Sequence, residues 1–341
     1  MNKNKQIKKF YISVLGAGSW GGTIAWLLSQ TIDNLTIWTN IKSEYDYLIK
    51  KRTLIRPLKV KLNKNIKITT NLKDSVSKCN LIIIAVPTKV FKSVILKLKK
   101  LNIKNNIIIL SATKGITQNE YLRPSQIIKK YLPNNNYAVL SGPNIAKDVI
   151  SKSPIISIIA SKNIKVARLL QQIISSNNFR IYINNDVIGV ELAGALKNVI
   201  AVAAGMSDGF GFNISTKAGL ISRGLIEIAR IVSKEGGKAK TLLGGAGIGD
   251  LIATCCSTNS RNYRVGYELA KGKNLSSIVK ELGQIAEGIE TVKAMIKLAR
   301  KHNVNVPIAN GIYKIVTKKI KPISVLNELL KRPAREYEID F

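Results

Sequence analysis

Two hydrophobic rhythms divide the chain. Up to about residue 186, short β-branched runs recur at Tyr11–Leu15, Leu35–Trp38, Ile66–Thr69, Leu81–Val86, Ile107–Leu110, Tyr137–Leu140, Ile155–Ile159 and Arg180–Ile183. Amphipathic stretches separate most of them, among them Ser19–Gln30, Ser75–Cys79, Val90–Lys100 and Lys165–Ser175. Strands alternating with helices predict a mostly parallel sheet covered on both faces. Leu81–Val86 is apolar throughout, as a central strand of such a sheet should be. Beyond Asp186 the strand runs stop and the period becomes helical: Val187–Met206, Thr216–Lys234, Tyr263–Lys271, Leu275–Leu282, Gly288–His302, Ile308–Thr317 and Ile323–Leu330. Glycine-rich segments such as Gly244–Gly249 read as loops, and Lys331–Phe341 reads as a tail. The expected organisation is an α/β, doubly wound, mostly parallel N-terminal domain (residues 1–186) followed by an all-α C-terminal domain (residues 187–341).

One helical segment changes the picture. Val190–Met206 is apolar almost all round, yet Lys197 sits at its middle, with Ala193, Gly194, Ile200 and Ala201 as its helical neighbours. A helix of that kind belongs in a core. Desolvation disfavours the charged ammonium there, so the lysine is kept by a partner or by chemistry. The alternatives are a side chain that snorkels to solvent or a purely structural ion pair.

Composition bounds the rest. At 341 residues with 45% hydrophobic content the chain is globular and long enough for two domains. No uninterrupted apolar run approaches the roughly 20 residues of a bilayer span. The basic start MNKNKQIKKF has no apolar segment behind it, so neither a signal nor a transit peptide fits. Cys79, Cys255 and Cys256 form no disulfide framework, which points to a reducing cytoplasm. With His302 the single histidine and those three cysteines badly spaced, no zinc site is expected, and proton transfer falls to lysine or carboxylates. The net charge of +34 invites a nucleic-acid reading. However, the lysines are spread over the whole length together with asparagine and isoleucine, and aromatics are only 6%. A base-composition bias of the genome accounts for that distribution better than a binding surface does.

Four groups of residues carry candidate chemistry. Gly16-Ala17-Gly18-Ser19-Trp20-Gly21 follows a predicted strand and opens a helix, the Rossmann-like context in which a GxGxxG turn meets a pyrophosphate. After the second strand, Ile37-Trp38-Thr39-Asn40 offers neither an acid for ribose hydroxyls nor an arginine for a 2′-phosphate. Both nicotinamide cofactors stay open, with Lys42 and the overall positive field favouring NADPH modestly. Ser111-Ala112-Thr113-Lys114-Gly115 and Ser141-Gly142-Pro143-Asn144 each follow a strand, at the sheet edge where ligands of open α/β sheets bind. Finally, Gly247-Ile248-Gly249-Asp250-Leu251 precedes Ser260-Arg261-Asn262, a hydroxyl, guanidinium and amide at a helix start that suit a phosphate.

GAGSWG, SATKG, SGPN, ELAGALKNVIAVAAGMSDG, GIGDL, TCCSTNSRN and AEG occur in the order and approximate spacing of the bacterial NAD(P)-dependent sn-glycerol-3-phosphate dehydrogenases. From about Ile12 to Lys331 the chain resembles that family. The resemblance implies reversible reduction of dihydroxyacetone phosphate to sn-glycerol 3-phosphate by NADPH or NADH, without metal, for glycerophospholipid synthesis in the cytoplasm. It implies that Lys197 exchanges a proton with the C2 oxygen, supported by Asp250. Lys114, Gly142, Asn144, Ser260, Arg261 and Asn262 would contact the substrate. Gly16, Gly18, Ser19, Trp20, Gly21, Asn40, Lys114, Ala146, Arg261, Ile285 and Glu287 would lie on the cofactor side. Two positions depart from the family: Asn144 stands for a threonine or serine, and Asn40 for a residue that is often basic. The expected partner is the small phosphorylated substrate, with no nucleic acid and no membrane span; a homodimer is left open. Rival readings are another lysine-dependent dehydrogenase of the β-hydroxyacid type and a charge-driven nucleic-acid binder.

Overall fold

The computed structural model describes residues 10–283 and 286–333. Its strands are β1 (Tyr11–Leu15), β2 (Asn34–Trp38), β3 (Thr53–Leu54), β4 (Val60–Lys61), β5 (Ile66–Thr69), β6 (Leu81–Ile84), β7 (Ile108–Ser111), β8 (Tyr137–Ser141), β9 (Ile155–Ala160) and β10 (Phe179–Asn184). Contacts divide the chain into two units. The first holds the described residues up to Lys114 together with Arg123–Val187, and the second holds Gly115–Leu122 and the described residues from Ile188 onward.

In the first unit, eight strands form one sheet in the order β10-β9-β8-β7-β6-β1-β2-β5, and β3 pairs with β4 in a separate two-stranded ribbon. β1 is an interior strand, with Val14 opposite Ile37 of β2 on one side and Ile83 of β6 on the other. All four residues of β6 are fully buried, as its unbroken apolar run predicts. The pairings are parallel except between β8 and β9, so β9 and β10 run opposite to the rest. Strand order reverses between β1 and β6, and in open α/β sheets the crevice outside the strand ends at such a point receives the ligand.

Three helices here lie outside the amphipathic stretches named from the sequence. Lys42–Lys51 is mostly polar and buries only Leu48, Pro124–Tyr131 begins at a proline, and Ala146–Ile150 is little more than one turn. The expected helix at Ser75–Cys79 lies instead at Leu72–Val76, where the Asn71 side chain caps it by accepting from the Asp74 N–H.

The second unit is helical. Its axis is Val187–Gly209, in which every residue from 191 to 207 is buried. By length and composition this helix could cross a bilayer, but 94% of its most apolar window is buried inside the protein. Glu191 and Lys197 interrupt the apolar run. The Gly244–Gly249 segment is no open loop: Gly245–Gly249 winds as a wide, π-type turn that runs directly into the helix Asp250–Cys255. Gly115–Leu122 joins this unit because Ile116 is 3% exposed within the helical core and the Lys297 ammonium lies 4.1 Å above the Tyr121 ring.

Glu227, on the helix Ile214–Lys234, supplies the start of another helix. Its two carboxylate oxygens accept the N–H groups of Ile308 (2.6 Å) and Ala309 (3.1 Å) at the head of Pro307–Lys318. Burial pushes the Glu227 carboxyl up to about 7 from 4.5, against the opposing pull of those two N–H groups and of Arg230 and Arg223. A carboxyl whose folded pKa lies above its unfolded one stabilises the fold fully below the unfolded value, and the contribution is lost as pH rises through the folded value. We therefore expect the melting temperature to fall between about pH 5 and about pH 7.5, and the Glu227→Gln variant to show a shallower slope over that window. Parallel slopes in thermal unfolding of the two proteins would contradict this.

Candidate active site

In the second unit, the Lys197 side chain is aimed at one face of the Asp250–Cys255 helix. Its ammonium donates to Asp250 Oδ1 at 2.5 Å and to Thr254 Oγ1 at 2.5 Å, while Thr254 Oγ1 donates back to the Asp250 carbonyl at 2.7 Å. Lys197 and Asp250 are 6% and 2% exposed. Asp250 and Thr254 are one helical turn apart, so a single short helix presents both acceptors. The close winding of Gly245–Gly249 aims that helix: a side chain at Gly247 would lie 2.2 Å from the Leu242 carbonyl oxygen. Desolvating an ammonium is costly, and this arrangement offsets the cost with an anion and a hydroxyl at contact distance.

The predicted phosphate-binding trio heads the helix Arg261–Ala270. Ser260 caps it, its Oγ accepting from the Tyr263 N–H at 3.4 Å. Arg261 is exposed, whereas Asn262 is buried. Asn262 donates to Asn198 Oδ1 (2.8 Å) and accepts from the Gly288 N–H (2.8 Å), so the residue after Lys197 is tied to two helix starts. Glu287 opens the second of those helices, beside Gly288. Ile285 lies outside the described residues. The single histidine, His302, is paired with Glu235 at 2.6 Å and takes its place in a surface cluster with Lys301. Among the described residues, no three His, Cys, Asp or Glu side chains gather to hold a metal.

The first unit brings together a second set. Gly16, at φ +111°, turns the chain out of β1; a side chain there would meet the Ala85 carbonyl oxygen at 2.8 Å. Gly18 precedes the helix Ser19–Leu28 without a side-chain cap, and nothing lies within 4 Å of where its Cβ would stand. The N–H groups of Ser19, Trp20 and Gly21 therefore begin a helix over open space with no acid in its first turn, which fits the pyrophosphate of a dinucleotide. The short helix that starts at Ala146 packs beside this one. Asn40 is exposed just past β2.

After β7, the Lys114 ammonium donates to the Gly142 carbonyl at 2.8 Å, joining the loops that follow β7 and β8. Asn144 donates to Ser157 Oγ at 3.0 Å, which in turn donates to the Ser141 carbonyl at 2.9 Å. The buried Asn144 Oδ1 has no partner among the described residues. Sequence reasoning missed Thr254 and Asn198. Thr254 was findable as the residue four past Asp250 in a helix, but no helix is read there from the sequence, which has glycine-rich Gly244–Gly249 just before it. Asn198 gives no local signal, because its partner is 64 residues away.

Two family models match: NAD-dependent glycerol-3-phosphate dehydrogenase N-terminus over residues 11–167 and NAD-dependent glycerol-3-phosphate dehydrogenase C-terminus over residues 186–327. A relative from Thermoanaerobacter sp. (strain X514) named glycerol-3-phosphate dehydrogenase (NAD(P)+) is 41% identical over 94% of this chain and 97% of its own length. The protein of the same name from Bacillus subtilis (strain 168) is 37% identical over 94% of each chain. The crystal structure of glycerol-3-phosphate dehydrogenase from Coxiella burnetii superposes with a TM-score of 0.91 at 34% identity, covering 95% of this chain and 99% of that one.

The placement of Ser260–Asn262 beside Asn198 depends on a close helix crossing. A side chain at Gly266 would stand 1.8 Å from the Val202 carbonyl oxygen, and one at Gly205 would stand 1.9 Å from that of Tyr263. Gly266→Ala should destabilise the protein by roughly 1–3 kcal/mol or more, because backbone cannot yield as a side chain can. Gly219, exposed in a helix with nothing within 4 Å, is the control. Gly219→Ala should be neutral or stabilising by up to about 1 kcal/mol. Equal melting temperatures for the two variants would show that the crossing is not tight.

Proposed function

The chain belongs to the NAD-dependent glycerol-3-phosphate dehydrogenase family, and from that premise we propose how its two units divide the reaction. The protein is an NAD(P)-dependent oxidoreductase that interconverts dihydroxyacetone phosphate and sn-glycerol 3-phosphate. The first unit binds the dinucleotide and the second carries the proton chemistry. The observation that carries this reading is the Lys197 ammonium held, buried, by Asp250 and Thr254.

Gly16, Gly18 and the N–H groups of Ser19, Trp20 and Gly21 would hold the pyrophosphate, with Asn40, Lys114 and Ala146 as the remaining cofactor-side positions of the first unit. When bound, the reduced nicotinamide supplies the hydride that C2 of the substrate receives. As negative charge develops on the C2 oxygen, Lys197 neutralises it and hands over a proton. Asp250 keeps the ammonium oriented, and Thr254, its own proton committed to the Asp250 carbonyl, accepts from Lys197 without competing for the proton being transferred. Arg261, with Ser260 and Asn262, takes the phosphate. The one amide proton Asn262 has beyond its bond to Asn198 is available for it. Within the first unit, Lys114, Gly142 and Asn144 are the positions assigned to substrate by resemblance. Binding the phosphate away from the reacting carbon lets its interaction energy position the carbonyl.

In the cell the reduction supplies the backbone of glycerophospholipids. Three free thiols, at Cys79, Cys255 and Cys256, support a reducing cytoplasm. The partner is the small phosphorylated substrate rather than nucleic acid or a membrane.

The test of function is oxidation of NADH or NADPH by the purified protein on addition of dihydroxyacetone phosphate. Turnover that stays absent with both cofactors would overturn the reading. Lys197→Ala should lower kcat by about 10²-fold or more while NADH binding changes little. Thr254→Val should lower kcat with KM nearly unchanged, since it positions the lysine and not the substrate. Arg261→Ala should cost roughly 10–100-fold in kcat/KM for dihydroxyacetone phosphate, the value of a charge-assisted bond, and much less for unphosphorylated dihydroxyacetone. Equal losses for the two substrates would remove Arg261 from the phosphate site.

A further inference from the structure

The residues after β2 carry no acid, but the structure delivers one there from the next helix. Thr39, the first residue past β2, is 2% exposed and is anchored to the neighbouring strand by its N–H to the Thr69 carbonyl at 3.2 Å. Its hydroxyl accepts from the Ile41 N–H at 3.2 Å and donates its only proton to Glu44 Oε2 at 2.5 Å. That bond requires an acceptor, so it holds the Glu44 carboxylate at the carboxyl end of β2. The other oxygen, Oε1, makes no hydrogen bond among the described residues, and Glu44 is only part-buried. The end of β2 is in turn fixed beside the glycine turn, where the Gly16 N–H donates to the Trp38 carbonyl at 2.8 Å.

In a doubly wound sheet whose first helix takes the pyrophosphate, the adenosine ribose lies at the end of the second strand. Two nearby basic side chains, Lys42 and Arg52, have partners of their own. Lys42 pairs with Asp46 at 2.6 Å and lies 5.0 Å from the Tyr45 ring. The Arg52 guanidinium donates to the carbonyls of Asn63, Lys64 and Ile66. Glu44 is the charged side chain that a hydrogen bond to Thr39 holds at the end of β2, in a protein whose net charge is +34.

We propose that Glu44 reads the 2′ position of the cofactor: its carboxylate accepts from the 2′-hydroxyl of NAD(H) and repels the 2′-phosphate of NADP(H). The assignment rests on the first unit being the dinucleotide-binding one. It reverses the modest NADPH lead that Lys42 suggested from sequence.

Equilibrium binding of NADH and NADPH to the full chain, read by calorimetry without substrate, tests it. The unmodified protein should bind NADH about tenfold or more tightly than NADPH, the range of one charge-assisted bond. Glu44→Gln should bring the two within about threefold, and Glu44→Lys should place NADPH ahead. A second measurement needs no variant: adenosine 2′,5′-bisphosphate should displace NADH from the unmodified protein about tenfold less effectively than AMP does. If both dinucleotides bind and the ratio is the same in all three proteins, or if the bisphosphate competes as well as AMP, Glu44 does not read the 2′ position, while the dinucleotide reading stands. If neither dinucleotide binds the folded protein, the dinucleotide reading itself falls, and the role of Glu44 with it.

Discussion

A lysine ammonium held almost out of water is the constraint on which the second unit is built. Removing an ion from water costs several kcal/mol even after relaxation, and the cost is tolerable only where an opposite charge and further hydrogen bonds meet it at contact distance. Lys197 meets that demand through Asp250 and Thr254, and both come from one short helix. That helix is aimed by a glycine turn wound against Leu242, and the lysine by a helix whose middle is buried on every side. The neighbouring Asn198 ties the same place to the starts of two more helices through Asn262 and Gly288. Few of these elements could move without leaving the charge uncompensated. The result is an ammonium fixed in orientation before any ligand arrives, the form that the proposed stabilisation of a developing oxyanion requires.

The scarcity of carboxylates sharpens the same point. With 20 acidic residues against 54 basic ones, bulk charge balance is not what the acids provide. Several of those in the second unit have a defined task. Asp250 holds Lys197, Glu227 supplies the head of the Pro307–Lys318 helix, Asp208 joins Lys217 to Tyr263, and Glu235 gathers Lys301 and His302. In the first unit Glu44 is held by Thr39 in the same manner. The surplus lysine is spread along the chain, whereas these acids are placed.

Features written in local pattern were legible in the sequence. The glycine turn after β1, the strand runs of the sheet and the buried stretch around Lys197 each declare themselves within about twenty residues, because hydrophobic period and turn chemistry are local quantities. The candidate site residues of the second unit were named through motif resemblance, but their connections were not legible. Asn198 meets Asn262 across 64 positions, and no periodicity encodes that bond. The Asp250–Cys255 helix was hidden by the glycines before it, which read as a loop although the chain winds through them, and Thr254 was hidden with it. At the end of β2 the structure adds a group that local sequence does not announce. The residues in place, Thr39 and Asn40, carry no charge, and the acid returns from the first turn of a polar helix that period analysis had passed over.

Chemical rescue of the Lys197→Ala variant tests the central claim most directly. Removal of the side chain leaves a space beside Asp250 and Thr254 into which a small primary ammonium can fit. Reduction of dihydroxyacetone phosphate should then be restored in proportion to added methylammonium, and the tetramethyl analogue, which has no proton to give, should restore nothing. Rescue by both cations alike, or by neither while the variant binds cofactor and substrate normally, would contradict the assignment of Lys197 as the group that exchanges the proton.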